Sequence, residues 1–170
     1  MAENSGMVVD ALIGAAAGAA AVWAMDRVDW FNFRHEDPQA RGRTQAVRPD
    51  GAAPAQVLAN KTTEALGYEV KPMDNNVAGK ALHYSIGIMP GVLYGAWRHT
   101  IPGLAAGWGS LFGLGLFVLQ DESLNAAAGL SANPNDYPWQ AHARGFAAHL
   151  VYGLVLDCAL RLADNLRGRR

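Results

Sequence analysis

Apolar residues in this chain are concentrated in four segments, each separated from the next by polar residues. The segments cover residues 7–25, 81–97, 101–119 and 145–162. A helix of about 20 apolar residues crosses the hydrocarbon of a bilayer, and these segments leave no polar stripe for water. The pattern favours an all-α fold, a polytopic membrane four-helix bundle, over a soluble protein that buries the same segments as core helices. The predicted helices lie near residues 7–33, 78–98, 101–122 and 140–164.

A polar region separates the first two apolar segments. Pro38 and Pro49 predict irregular chain from Arg34 to Asp50. Further on, Pro54 suits the first turn of a helix, and the spacing of the apolar residues after it predicts a short amphipathic helix over residues 54–66. The predicted divisions are residues 1–33 (first transmembrane helix), 34–77 (polar loop with the short helix), 78–166 (three-helix transmembrane region) and 167–170 (basic tail).

Composition and motifs exclude several classes of function. Apolar residues make up 51% of the chain and charged residues 17%, and 14 Lys and Arg against 15 Asp and Glu give a net charge of −1. This balance lacks the basic excess that predicts nucleic-acid binding. The sequence also has no Walker loop, no cysteine pair with zinc spacing and no nucleophile elbow. No catalytic residue is therefore identified, and enzyme activity is the less favoured interpretation.

Small residues recur with helical spacing in the first and third apolar segments. Gly14 and Gly18 lie four residues apart, and Gly107 and Gly113 belong to a similar series. Such spacing lets membrane helices approach each other closely. These four glycines are predicted to lie at helix contacts, either within the chain, in a homo-oligomer or in a larger membrane complex.

The basic residues predict how the four spans are oriented. Those on the side of the long first loop are Arg27, Arg34, Arg41, Arg43, Arg48, Lys61, Lys71, Lys80 and Arg144. Those on the opposite side are Arg98, Arg161, Arg167, Arg169 and Arg170. The larger group predicts a cytoplasmic long loop by the positive-inside rule, whereas the three C-terminal arginines favour the reverse.

Ionisable residues gather where antiparallel spans bring four helix ends to one membrane face. The predicted cluster consists of Asp26, His83, Asp121, Glu122, His142 and His149. His142 and His149 are seven residues apart and share one face of a continuous helix. Ionisable groups at membrane depth are costly and usually face the bundle interior or a wet cavity. This cluster is therefore the candidate functional site.

Three kinds of chemistry are open to this cluster. The candidate ligands of a transition metal are Asp26, His83, Glu122 and His149. The two histidines of that set are also the candidate ligands of a haem, and the same groups can pass protons because histidine titrates near neutral pH. In the favoured interpretation no cofactor is bound, and the groups stabilise the bundle, with Asp26 paired to Arg27 or Arg144.

Short motifs in the second half of the chain resemble a known family. They are His83-Tyr84, Tyr94-Gly95, Gly103, Gly107, Gly113, Gly129-Leu130, Tyr137-Pro138-Trp139 and His149-Leu150-Val151. Over residues 81–166 the series resembles the YagU-like inner-membrane proteins, although Asp121-Glu122 departs from the more apolar third-helix end of that family. The resemblance implies a small multi-pass protein of a bacterial-type inner membrane, of unestablished activity and with a suggested role in acid tolerance.

These observations lead to three expectations about function. The first is a structural or accessory component of a membrane assembly that packs through its glycine faces. The second is a proton- or ion-linked membrane protein that uses the histidine and carboxylate cluster. The third is a membrane protein that binds a metal or a haem. The lipid bilayer is a partner in all three.

Overall fold

The computed structural model describes residues 2–68 and 77–168, and every regular element in these two ranges is helical. The helices are α1 (Ala2–His35), α2 (Pro38–Val47), α3 (Pro54–Ala65), α4 (Val77–Trp97), α5 (Ser110–Leu116), α6 (Asn125–Ala127) and α7 (Trp139–Leu166), with a π-helix at Phe117–Leu124 and 3₁₀ turns at Pro49–Gly51 and Pro134–Asp136. The all-α prediction is confirmed. Residues 69–76 of the predicted polar loop and residues 169–170 of the predicted basic tail lie outside the described residues.

Three predicted membrane helices and the short loop helix lie close to their predicted positions. α4 and α7 begin and end within two residues of the prediction, and α3 ends one residue early. α1 extends the predicted helix at both ends, because nothing between Asp26 and His35 interrupts it. Two helical stretches, Gly6–His35 and Trp139–Leu166, are long and apolar enough to cross a membrane by length and composition.

The prediction of irregular chain from Arg34 to Asp50 is wrong, because α2 lies within it. The carboxylate of Asp37 caps this helix and accepts hydrogen bonds from the backbone N–H groups of Gln39 at 2.7 Å and Ala40 at 3.0 Å. Pro38 occupies the first helical position, where a missing N–H leaves no bond unmade. The proline therefore begins a helix and does not interrupt one.

The third apolar segment is helical only in its second half. α5 begins at Ser110, so the helix predicted over residues 101–122 starts later than expected. Before it, Pro102 lacks an N–H, and Gly107 and Gly109 have φ angles of 62° and 80°, which end a right-handed helix. Gly107, predicted to be a helix-packing residue, lies in this run of turns.

The polar end of the third segment forms a π-helix that the sequence did not predict. The π-helix extends over Phe117–Leu124 and carries Gln120, Asp121 and Glu122. Its hydrogen bonds join residues five apart, one more than in an α-helix, and such turns often occur at functional sites. All three of these polar side chains line the same cavity, which is described below.

Glycines bring α1 and α4 into direct backbone contact. A Cβ atom at Gly91 would lie 2.6 Å from the carbonyl oxygen of Gly14 and 2.7 Å from the Cα of Gly18. A Cβ at Gly95 would lie 2.9 Å from the Cα of Gly14. Gly14 and Gly18 therefore lie at a helix contact within the chain, and no larger residue fits at this crossing without a backbone shift.

A second glycine contact joins α5 to α7. A Cβ at Gly113 would overlap the carbonyl oxygen of His149 and lie 3.2 Å from the nitrogen of Gly153. A Cβ at Gly153 would in turn overlap the carbonyl oxygen of Gly109. Gly113 thus lies at a helix contact, and Gly109 occupies the contact position predicted for Gly107.

The interior of the molecule lies between α1, α4 and α7. α1 packs against both α4 and α7, and α5 packs against α7. The buried core residues are Ala17, Ala21, Val22, Tyr94, Tyr152, Leu156 and Leu160. α3 covers part of α4, with Val57 and Ala59 buried. This arrangement leaves polar side chains at the two ends of the bundle.

Candidate functional site

A cavity of about 250 Å³ lies at the end of the bundle that carries the long loop. Its lining includes all six residues of the predicted cluster. They are Asp26 of α1, His83 of α4, Asp121 and Glu122 of the π-helix, and His142 and His149 of α7. Antiparallel helices bring these residues together, although they come from four separate parts of the chain.

His83 and Asp26 form the first of three histidine–carboxylate pairs in the lining. His83 Nε2 lies 2.8 Å from Asp26 Oδ1, and the two side chains are 39% and 29% exposed. The ring of Tyr84 meets the imidazole edge-on at 5.7 Å. This pair joins α4 to α1 at the rim of the cavity and remains within reach of solvent.

His142 and Glu122 form the second pair. His142 Nδ1 lies 2.7 Å from Glu122 Oε1, and Nε2 of the same ring lies 3.1 Å from the carbonyl oxygen of Pro134. Both partners are hydrogen-bond acceptors, and a neutral ring donates to one of them whereas an imidazolium donates to both. The pair therefore joins the π-helix to the start of α7.

His149 and Asp121 form the third pair, which is looser than the others. His149 Nδ1 donates to the carbonyl oxygen of Gly145 at 2.9 Å and lies 3.7 Å from Asp121 Oδ2. The ring of Phe117 lies 5.8 Å away. The buried imidazole is thus oriented by the backbone of its own helix, and the carboxylate is near it without a direct hydrogen bond.

Arg144 joins the extended end of α1 to α7. Its side chain is 5% exposed, and it donates from Nε to Asp29 at 2.8 Å and from Nη1 to Glu36 at 2.6 Å. The guanidinium also lies 5.0 Å from the centre of the Phe33 ring. The predicted pairing of Asp26 with an arginine is not found among the described contacts, since Asp29 and Glu36 occupy Arg144.

Arg48 lines the same cavity and differs from Arg144 in its lack of a hydrogen-bonded acceptor among the described residues. It lies between α2 and the 3₁₀ turn and makes no hydrogen bond or ion pair with the residues that the structure describes. Burial, together with the nearby positive charge of Arg144, lowers the pKa of the Arg48 guanidinium from its ordinary value. The side chain nevertheless stays charged at any physiological pH, because an arginine titrates so far above it.

The candidate metal ligands are not assembled into one site. His83 is bound to Asp26, Glu122 is bound to His142, and His149 lies beside Asp121. In residues 2–68 and 77–168, no group of three His, Cys, Asp or Glu side chains has the arrangement to hold a metal ion. The geometry thus offers three separate pairs instead of a ligand sphere.

A second ionic cluster lies at the opposite end of the bundle. Asp157 is fully buried and accepts from the hydroxyl of Tyr94 at 2.8 Å and from Arg161 Nε at 2.5 Å. The buried Arg98 lies 3.9 Å from the same carboxylate and also pairs with Asp164. These contacts connect α4 to α7 and give each charge a partner, so the cluster has a sufficient structural role.

Sequence reasoning missed Glu36 and Arg48 as site residues. A helical signal for Glu36 exists, because Asp26, Asp29, Phe33 and Glu36 recur at intervals of three and four residues and share one face of a helix. The predicted first helix ends at residue 33, three residues before Glu36, so the prediction does not place Glu36 on this face. Arg48 lies after α2, and no spacing in the sequence predicts that it turns toward the cavity.

Comparisons of this chain with protein-family models, with curated proteins and with solved structures find no match.

Proposed function

We propose that this chain is a small integral membrane protein whose polar cavity binds a small polar solute together with protons. The membrane part of the proposal is supported by apolar side chains exposed on every long helix. They include Leu12, Trp23, Phe31, Met89, Leu93, Leu111, Val118, Leu119, Leu154 and Leu162. Water-soluble monomers rarely expose apolar surface so extensively, whereas lipid covers it without cost.

We further propose that the third apolar segment spans the membrane with α1, α4 and α7. Its turns lack helical hydrogen bonds, and such backbone is tolerated at membrane depth only where protein covers it. Leu104 and Ala105 pack against the core cluster, which supports such cover. Exposed tryptophans at opposite helix ends, Trp139 at the start of α7 and Trp97 at the end of α4, suit the two interfaces of a bilayer.

The proposed location is a bacterial-type inner membrane, with the long loop and the cavity on the cytoplasmic side. The excess of basic residues on the long-loop side supports this orientation. Membership of the YagU-like family is part of the same proposal and rests on the short motifs of residues 81–166. A reporter fused to the loop and to the C-terminus would test the orientation, because the two should report opposite sides.

Proton linkage of the cavity rests on one observation, the three histidine–carboxylate pairs in its lining. The charged and titratable groups that line it are Asp26, Asp29, Arg48, His83, Asp121, Glu122, Tyr137, His142, Arg144 and His149. Together with Glu36, which is bonded to Arg144, the carboxylates outnumber the arginines by three when the histidines are neutral, and three imidazolium ions cancel this excess. Because histidine changes charge between about pH 5 and about pH 8, protonation decides how strongly the cavity repels an anion.

Hydrogen–deuterium exchange in nanodiscs tests this proposal. After correction for intrinsic exchange, peptides covering the π-helix and the first turns of α7 should change their protection between about pH 8 and about pH 5. The variant H83Q/H142Q/H149Q should lose this pH response, and H35Q, which alters a histidine outside the cavity lining, should keep it. Equal protection at both pH values in the wild type, or an unchanged response in the triple variant, would overturn the proposal.

A structural or accessory role is the second candidate, and one observation favours it. A Cβ at Gly115 meets nothing within 4 Å, and its neighbours Leu111, Val118 and Leu119 are exposed. This outward face of α5 combines a small residue with apolar ones, as helix-pairing faces do. Since the glycine contacts between α1 and α4 and between α5 and α7 are filled within the chain, we propose a second copy of the protein as the occupant of this outward face. Native mass spectrometry should then show a dimer that G115L weakens, and a monomeric wild type would contradict this role.

A further inference from the structure

We infer that the solute of the cavity carries an oxyanion group, a carboxylate, sulfate or phosphate, and that Arg48 binds this group. The inference rests on the proposed function only in taking the cavity to be a binding site. It goes further by naming the chemical class of the ligand and the residue that recognises it. Neither follows from the histidine pairs, which argue for protons alone.

The first observation is the unfilled donor capacity of Arg48. A guanidinium has five N–H donors. Arg48 is half-buried, lines the cavity and makes no hydrogen bond or ion pair with the described residues. No Arg48 nitrogen is among the buried side-chain atoms without a partner, so its donors are open to a ligand in the cavity that supplies acceptors.

The second observation is that the neighbouring carboxylates are already occupied. Asp29 and Glu36 lie near enough to influence Arg48 electrostatically, but both bind the guanidinium of Arg144 directly. Arg144 is thus satisfied by two carboxylates, while its own positive charge still acts on Arg48. Of these two arginines, which are near enough to interact electrostatically, only Arg144 is hydrogen-bonded to described carboxylates, so the guanidinium of Arg48 is the one open to an anion.

The third observation is a hydroxyl donor in the same cavity lining as Arg48. Tyr137 lines the cavity and lies near enough to influence Arg48 electrostatically. Its hydroxyl oxygen accepts a hydrogen bond from the N–H of Ala132 at 3.3 Å, and its own hydrogen has no acceptor among the described residues. A guanidinium fork and a phenolic O–H together match the several oxygens of a carboxylate, sulfate or phosphate group.

Two sources can supply such a group, a free anion or the headgroup of an anionic lipid. Inorganic sulfate is the probe for the free anion, since it keeps one charge state over the pH range of interest. The probe for the lipid is phosphatidylglycerol in nanodiscs that otherwise contain phosphatidylcholine. Calorimetric titration with sulfate in pure phosphatidylcholine nanodiscs, and native mass spectrometry of retained lipid in mixed ones, separate the two sources.

Four variants make the test specific. R48Q should weaken binding of the preferred probe by about tenfold or more, the effect of losing a charge-assisted hydrogen bond. R48K keeps the charge without the fork and should retain part of the affinity, and Y137F should weaken binding less than R48Q. R43Q is the matched control, because Arg43 is exposed on α2 and does not line the cavity. An unchanged elution profile for R48Q and R48K shows that the fold is intact.

The outcomes separate this inference from the proposed function. If neither sulfate nor phosphatidylglycerol binds the wild type, or if R48Q and R43Q behave alike, the inference is overturned. If sulfate binding depends on Arg48 while hydrogen exchange shows no pH response, the anion site stands and proton linkage fails. If the pH response is present and the Arg48 variants bind both probes as the wild type does, proton linkage stands and the anion site at Arg48 fails.

Discussion

His83 Nε2 lies 2.8 Å from Asp26 Oδ1 because the glycine contact between α1 and α4 continues in the same register to the cavity. Gly87 contacts Val22 one turn before this pair. From each contact to the next, the position lies four residues later in α1 and four residues earlier in α4, because the two helices are antiparallel. Residues four apart share a helix face, so the packing that requires glycines also fixes which carboxylate faces the histidine. Helix packing and the polar site are therefore one arrangement.

Replacing Gly91 tests the glycine contact directly. G91L should lower the melting temperature of the protein in detergent by several degrees, because the side chain would force apart backbones that now lie in contact and overpacking costs about 1–3 kcal/mol. G42L is the control, since Gly42 lies on α2 with nothing within 4 Å. Equal melting temperatures for the two variants would show that this contact does not hold the helices together.

The buried Asp157 is expected to be the most sensitive charged residue. D157A leaves Arg161 and Arg98 without their shared carboxylate, and breaking a buried ion pair costs about 3–5 kcal/mol. Y94F removes one hydrogen bond to the same group and should cost about 1 kcal/mol. Thermal unfolding in detergent should rank D157A well below Y94F, with the exposed-site variant E64A near the wild type. A D157A protein as stable as Y94F would refute this ranking.

Arg144 is expected to hold the end of α1 and the start of α2 against α7. R144A leaves Glu36 with a buried, unpaired carboxylate and removes the contact with Phe33. Local opening should then expose α2, and trypsin should cleave after Arg41 or Arg43 several-fold faster than in the wild type. Mass spectrometry of early fragments measures this.

The control for that experiment is R27A, because Arg27 is exposed and stacks on Trp23 at the outer surface. The R27A change removes a basic residue of α1, the helix whose end Arg144 holds, and leaves α7 unchanged. Cleavage of R144A at the wild-type rate would mean that other contacts hold the segment. R144K should show intermediate cleavage, since an ammonium cannot reproduce both hydrogen bonds of the guanidinium.

Sulfate binding is expected to strengthen as the pH falls. Protonation of His83, His142 and His149 would remove the excess of negative charge around the cavity, and an anion binds the protonated form more tightly. By linkage, sulfate binding must take up protons. Calorimetry at about pH 8 and about pH 6 should show the higher affinity at the lower pH. The same affinity at both, or no dependence of the measured heat on the ionisation enthalpy of the buffer, would exclude this coupling.

The helical class, the positions of α1, α3, α4 and α7, and the six ionisable residues of the cluster can all be predicted from the amino-acid sequence. Hydrophobic segments of helical length fix the helices, because the apolar surface must be covered by protein or lipid. Antiparallel threading then fixes which helix ends meet. These features depend on local composition and on the order of the segments along the chain. Both are visible in the sequence, whatever the angles at which the helices cross.

The division of the cluster into three histidine–carboxylate pairs depends on how the helices pack against each other. Asp121 lies beside His149 because Gly113 seats α5 against the backbone of α7, and the neighbouring Glu122 reaches His142 from the π-helix. Arg48 enters the lining because it follows α2, which contacts α7 and places Thr44 in the same lining. Which carboxylate meets which histidine depends on helix register and on interhelical distances of a few ångströms. A single sequence does not encode those distances in any local pattern, since they result from the packing of all helices at once.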